Sequence, residues 1–230
     1  MGANVLPLRA QRMMVKRFYE TFDFEKIITR PPKLIQMFLD GEIEFLEQYL
    51  EGGKSILEVG CGYGRLLNVL KRKADRVVGI DFSLSLLEKA KKKLGNNNAA
   101  KLLLMPAEKM RFDSDSFDYV VCLDATFGNM PGLELSVLKE MKRVCKSGGQ
   151  VIVSVFSHNA KRVQFENYKR VGLTGIWDDG IAVHTAEGFY SRRFTKKQLR
   201  NLFSQVGLSP KIGKLCPVNY IVIASKRLSI

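Results

Sequence analysis

The chain has 230 residues, with 37 Lys+Arg against 23 Asp+Glu and a formal net charge of +14. Hydrophobic residues at 46% and charged residues at 26% exclude wholesale disorder and a fibrous repeat, and the length suits one large domain. No apolar run approaches the ~20 residues of a membrane span, and Met1 to Arg9 lack the basic start and long apolar stretch of a signal peptide, so a cytoplasmic protein is expected.

The first thirty residues hold an amphipathic stretch, Met13 to Tyr19, and the aromatic-rich Phe22-Asp23-Phe24, closed off by Pro31-Pro32. Lys33 to Tyr49 reads as a helix, with Leu34, Met37, Phe38, Ile43, Leu46 and Leu50 recurring at three- and four-residue steps. A regular alternation follows. Strands are expected at Ser55 to Val59, Arg76 to Ile80, Lys101 to Met105, Phe117 to Leu123 and Gln150 to Phe156. Helices are expected between them at Arg65 to Lys73, Ser83 to Leu94 and Leu133 to Cys145, with Gly95 and the asparagines 96–98 breaking the chain.

Near-continuous apolar strands separated by helices imply a parallel sheet covered on both faces, hence a doubly wound α/β fold. The alternation pauses over 157–194 and resumes with a helix capped by Thr195 and running to Val206. Strands near Leu208 to Cys216 and Val218 to Ser225 have no helix between them, so they should pair antiparallel at the sheet edge. The expected organisation is a single domain. It comprises an N-terminal lid (1–32), a cofactor-binding half (33–156), a substrate-cap insertion (157–194) and a C-terminal helix with hairpin (195–230).

The four cysteines, Cys61, Cys122, Cys145 and Cys216, are scattered and only two histidines are present. That spacing gives neither a metal cluster nor a disulfide framework. From Gly188 onward the chain carries nine basic residues and no acidic one. Such a stretch attracts nucleic acid or merely solubilises, and it is not interleaved with stacking aromatics as a nucleic-acid platform would be.

The chemistry-bearing signal is Leu57-Glu58-Val59-Gly60-Cys61-Gly62-Tyr63-Gly64-Arg65 at the end of the first strand. Three glycines let the backbone turn tightly and approach a ligand before a helix opens. Asp81 ends the second strand, where an acid can accept both hydroxyls of an adenosine ribose. Glu58 beside the glycines would repel a diphosphate but not a ligand carrying an ammonium group. The G-x-G-x-G spacing also departs from the dinucleotide G-x-G-x-x-G, which places a dehydrogenase last.

With these motifs the sequence resembles the class I S-adenosylmethionine-dependent methyltransferases, and within them the type 11 group that includes the ubiquinone/menaquinone C-methyltransferases. The resemblance covers about residues 33–156. Ile56 to Gly64 looks like the first motif of the family and Val77 to Ser83 the second, in which Asp81 binds ribose and Phe82 packs on adenine. Met105 to Phe112 looks like the segment lining the adenine pocket, with Pro106 standing where the family usually has Asp, so that Ala107 or Glu108 would serve instead. Phe117 to Val121 and the run Leu138 to Gly149 complete the set.

The resemblance implies a Rossmann-like fold with a seven-stranded, mostly parallel sheet and S-adenosylmethionine as cofactor. Its expected site residues are Glu58, Gly60, Cys61, Gly62, Gly64, Asp81, Phe82, Pro106, Ala107, Glu108 and Leu123, and Tyr19 of the N-terminal lid is expected to fold over the cofactor. Methyl transfer from a sulfonium asks mainly for alignment and exclusion of water, so it points to no obligatory catalytic side chain. Candidates near the acceptor are Asp124 after the fourth strand and His158, His184 and Tyr190 in the insertion. The leading expectation is a small-molecule acceptor; the alternatives are RNA, suggested by the basic C-terminal stretch, and a cofactor-binding module without catalysis.

Overall fold

A computed structural model describes residues 7–95 and 100–227. The first six residues and the asparagine run 96–98 lie outside the described residues. Among the described residues no helix is long and apolar enough to cross a membrane.

The central sheet is built from β1 (Lys54–Val59), β2 (Ala74–Asp81), β3 (Ala100–Leu104), β4 (Phe117–Cys122) and β5 (Cys145–Ser157), joined by β9 (Lys211–Gly213) and β10 (Asn219–Ser225). The pairings run β3-β2-β1-β4-β5 in parallel, and β10 then lies antiparallel to β5 with β9 antiparallel to β10. These seven strands make the expected mostly parallel core with its C-terminal hairpin, in a sheet that the insertion extends to ten strands among the described residues. The hairpin is shorter in β9 than the sequence suggested, because Asn219 Oδ1 accepts from the Leu215 and Cys216 amides and turns that segment into the connection. β5 starts earlier than expected: Cys145 already pairs with Phe117, with a register shift before Tyr119 meets Gln150.

Helices cover both faces: α3 (Lys33–Tyr49), α4 (Leu67–Lys73) and α5 (Leu84–Leu94) on one side, α6 (Glu134–Val144) and α8 (Lys196–Gln205) on the other. Strand residues alternate between them: Ile56, Val121 and Ile152 pack with α3 and α4, while Leu57, Val120 and Val153 pack with α6 and α8. α4 begins two residues later than the sequence suggested, since 61–66 are consumed by the glycine turn. Ser83 caps α5 by accepting from the Leu86 amide, and α8 opens on a capping box between Thr195 and Gln198.

The insertion is not an irregular loop. It folds as α7 (Lys161–Arg170) followed by β6 (Trp177–Asp178), β7 (Ala182–His184) and β8 (Tyr190–Phe194), and β8 joins the far end of β5 in parallel. The N-terminal stretch forms α1 (Leu8–Thr21), longer than its amphipathic centre, and the short α2 (Glu25–Ile28). Phe18, Phe22 and Phe24 of this stretch cluster with Tyr168 and Phe189 of the insertion. Arg170 donates to the Lys26, Ile27 and Thr29 carbonyls at the end of α2. The two accessory pieces therefore meet above the carboxyl ends of the strands, where a doubly wound sheet places its ligands.

Candidate functional site

A cavity with about 1160 Å³ of empty space, its open mouth included, lies between those strand ends and the two accessory pieces. One side is the glycine turn. Gly60 and Cys61 donate from their amides to Ile80 O, which fastens the turn to β2. Gly60 has φ +71°, and a Cβ there would sit 2.4 Å from Thr126 Cγ2, so only glycine lets the turn and the loop after β4 face each other this closely. Gly62, with φ +52°, meets nothing within 4 Å on its open side.

Asp81 is 6% exposed at the end of β2, and its carboxylate accepts from the Gly62 and Ser83 amides at 2.9 Å each. Burial pushes its pKa up to about 6, against the pull of those amides. Each carboxylate oxygen keeps a lone pair for a further donor. Glu58, 5% exposed, has Oε2 without a hydrogen-bond partner, and burial pushes its pKa up to about 8.

A buried charge cluster, unforeseen from the sequence, backs this wall. Glu42 of α3 is 0% exposed. It accepts from the Arg65 guanidinium, from the Ser154 hydroxyl and from the Asp124 amide, the last at 2.7 Å. Arg65 also donates to Asp124 Oδ2 at 3.1 Å and to Leu39 O at 3.3 Å. Burial raises the Glu42 pKa while Arg65 opposes it. Asp124 and Ala125 both sit in the left-handed region, at φ +56° and +55°, an uncommon conformation that the Glu42 contact to the Asp124 amide helps to hold. The sequence did carry a signal for Glu42: it stands four residues from both Phe38 and Leu46, in the apolar stripe of its helix.

The opposite side is apolar and aromatic. Phe24, Ile27 and Ile28 come from the α2 region, Phe38 and Leu39 from α3, Phe156 from β5, and Tyr168 and Phe189 from the insertion, with Asn167 beside them. Tyr19 stacks on Phe24 at 4.2 Å and meets Phe82 edge-on at 5.5 Å, bridging the two sides.

Of the residues singled out from the sequence, Tyr19, Glu58, Gly60, Cys61, Gly62, Asp81, Phe82, Ala107, Leu123 and Asp124 share this wall. Gly64 does not; a Cβ there would press on Ala90 and Leu67 at 3.1 Å, so its role is helix packing. Pro106 and Glu108 are also off the wall, as are His158, His184 and Tyr190. His184 is stacked flat on Trp177 at 3.9 Å and bonded to Asp179 at 2.9 Å, inside the small sheet of the insertion. His158 lies in a separate cleft beside Lys161 and Arg193.

The residues fit the cofactor that the resemblance implies. Glu58 Oε2, Tyr63 Oη and Asn129 Oδ1 are buried polar atoms without a partner among the described residues, and all three residues line this cavity. Such atoms are costly unless a ligand supplies the missing bonds.

Residues 56–149 match the family described as a methyltransferase domain. A demethylmenaquinone methyltransferase of Staphylococcus aureus is 38% identical over 103 residues, which are 44% of this chain and 42% of that protein. The chain thus matches less than half the length of these curated relatives. Among solved structures, a Pyrococcus horikoshii protein shares the fold at a TM-score of 0.71 and 19% identity, covering 92% of this chain and 99% of that one. A Burkholderia thailandensis 1,6-didemethyltoxoflavin-N1-methyltransferase, solved with its acceptor and S-adenosylhomocysteine, has a TM-score of 0.68 and 14% identity over 99% of this chain and 93% of its own.

The glycine turn and Asp81 fall inside the stretch that matches a methyltransferase domain, on a fold shared with the solved structures. Over part of its length the chain is thus similar to demethylmenaquinone methyltransferases.

Proposed function

We propose that this protein transfers a methyl group from S-adenosylmethionine to an uncharged, largely apolar small molecule. The observation that carries the reading is the two-sided cavity: carboxylates and a glycine turn on one wall, an aromatic box on the other. When bound, S-adenosylmethionine supplies a methyl group on a positively charged sulfur that leaves as a neutral thioether.

The chain's own residues have defined parts. Asp81 accepts the ribose hydroxyls, with Phe82 and Ala107 against the adenine. Glu58 receives the cationic amino-acid end, and Gly60 and Gly62 give it room. The box formed by Phe24, Phe38, Phe156, Tyr168 and Phe189 holds the acceptor and excludes water, which supplies much of the rate in a displacement of this kind. Asn129 Oδ1 is free to accept one hydrogen bond from the acceptor and so to orient it. Of the four catalytic candidates Asp124 is the one that lines the cavity, so this reading assigns neither histidine a role as base.

The names of the Staphylococcus and Burkholderia proteins both describe methyl transfer to small molecules, which supports the same choice. The RNA reading draws nothing from the cavity, where Arg65 is the one basic residue on the wall among the described residues. The test is transfer of a radiolabelled methyl group in fractionated extract, with the product sized and digested. Label in an organic-extractable small molecule is expected; label in nuclease-sensitive material overturns the acceptor assignment, and no calorimetric binding of S-adenosylmethionine overturns the reaction.

A further inference from the structure

The insertion buries polar side chains in a seam between helix and strand that is usually apolar. On α7, Gln164 and Tyr168 stand four residues apart; on β8, Ser191 and Arg193 stand two apart, and all four are buried. Four residues along a helix and two along a strand both advance about 6–7 Å, so the two pairs match in spacing. They bond in one chain. The Arg193 guanidinium donates to Gln164 Oε1 at 2.9 Å and to Asp178 Oδ2 at 2.6 Å. Gln164 Nε2 donates to Ser191 Oγ at 2.9 Å, and Tyr168 Oη donates to the same oxygen at 2.8 Å.

The polarity of the chain is fixed from one end. A guanidinium only donates, so Gln164 must turn its oxygen to Arg193 and its amide nitrogen to Ser191. Ser191 Oγ accepts there, and the Tyr168 hydroxyl gives its hydrogen to the same atom. Burial pushes the Tyr168 phenol up, so that hydrogen stays in place at working pH. Arg193 ends the chain in the separate cleft beside His158, and Tyr168 ends it in the acceptor box.

Resting on the methyltransferase reading, we infer that Gln164 and Ser191 are positioning residues: with Arg193 behind them they fix the rotation of Tyr168, and with it the wall that the acceptor meets. Apolar side chains of similar volume would fill the seam at little or no loss of stability. What the polar chain adds is direction. Phe189 meets the Tyr168 ring edge-on at 4.9 Å, and the bond to Ser191 removes the remaining freedom, the swing of the hydroxyl end.

The test uses the organic-extractable fraction of cell extract as methyl acceptor, serially diluted at saturating S-adenosylmethionine, with calorimetry against S-adenosylhomocysteine beside it. Ser191→Ala and Gln164→Met are each expected to raise the half-saturating amount of that fraction about threefold to tenfold, the worth of one net hydrogen bond. The rate at saturation and the affinity for S-adenosylhomocysteine are expected to stay within about twofold, because neither residue lines the cavity. In a Tyr168→Phe background Ser191→Ala should add less than about twofold, since the hydroxyl it acts through is gone. A residue that only supports the fold would lower the rate at saturation with the folded fraction and leave half-saturation where it was. Half-saturation unchanged in both single variants, or a full further rise in the Tyr168→Phe background, overturns the inference and leaves the methyltransferase reading intact. A parent that binds no S-adenosylhomocysteine overturns that reading and the inference with it. A parent that binds it yet labels nothing in the organic fraction overturns the small-molecule assignment and the inference together.

Discussion

The outer surface of α5 and the wall of the cavity obey opposite electrostatics within one small protein. On α5, Lys89 and Lys91 to Lys93 stand exposed in solvent, where like charges a few ångströms apart are hydrated and screened within about 8–10 Å. An exposed acid in such surroundings is drawn down: the ammonium of Lys226 bonded to Asp115 holds that carboxyl below its usual range. In the cavity, burial moves Glu58 up to about 8 and Asp81 up to about 6, although Arg65 and backbone amides pull the other way. The difference teaches that net charge describes the solvated face and says little about a desolvated site. A strongly basic chain can carry a carboxylate-lined pocket.

The contrast is open to attack at several strengths. Glu42→Ala strikes hardest, because it leaves the Arg65 guanidinium and the Asp124 amide buried without their shared partner. Urea unfolding should show a loss of about 3–5 kcal/mol, and a loss under about 1 kcal/mol would mean that the cluster relaxes without Glu42.

Next comes the pH response of Glu58. Its folded pKa near 8 lies above the unfolded value of 4.5, so the fold binds this proton more tightly than the unfolded chain does. The stability it allows is complete below about pH 4.5 and is lost as pH rises through 8. Glu58→Gln should therefore match the parent at pH 5 and exceed it by on the order of 3 kcal/mol at pH 9, read from urea midpoints. Parallel pH profiles for the two proteins would refute the buried-carboxyl account.

Asp81→Ala removes the acceptor for the ribose hydroxyls and should weaken S-adenosylhomocysteine binding by at least about tenfold, as one or two charge-assisted hydrogen bonds require. Unchanged affinity by calorimetry would place the ribose elsewhere. The smallest effect belongs to the surface. Replacing Lys91 and Lys92 by Gln should shift stability by less than about 0.5 kcal/mol and leave cofactor affinity within about twofold across 50–300 mM salt. A larger shift would mean that the outer charge reaches the site.

The sheet was legible because its strands are short apolar runs punctuated by glycine, and the order of helices and strands followed directly. The glycine turn, Glu58 and Asp81 were legible for the same local reason: their chemistry is written within a few residues. What escaped was contact at long range. Glu42 joins Arg65, Asp124 and Ser154 across separations of 23, 82 and 112 residues, and no local pattern announces such a meeting. The positions of the histidines were not legible either: Trp177 and Asp179 hold His184 inside the small sheet, a contact made only once the insertion has folded. Within the same insertion, Tyr168 and Phe189 reach the cavity because the aromatic cluster with Phe18 draws them toward α1.

The reversed strand β10 sets the order in which the sheet can be completed. It lies between β5 and β9 and pairs with β5 along its whole length, from Asn219 opposite Phe156 to Ser225 opposite Gln150. During synthesis β1 to β5 emerge well before it, leaving one flank of β5 as a bare hydrogen-bonding edge of the kind that templates wrong pairings. Some sixty residues must follow β5 before that flank closes, and contacts over such separations form slowly. The sheet is thus unfinished until residues 219–225 pair with β5 and cover that edge.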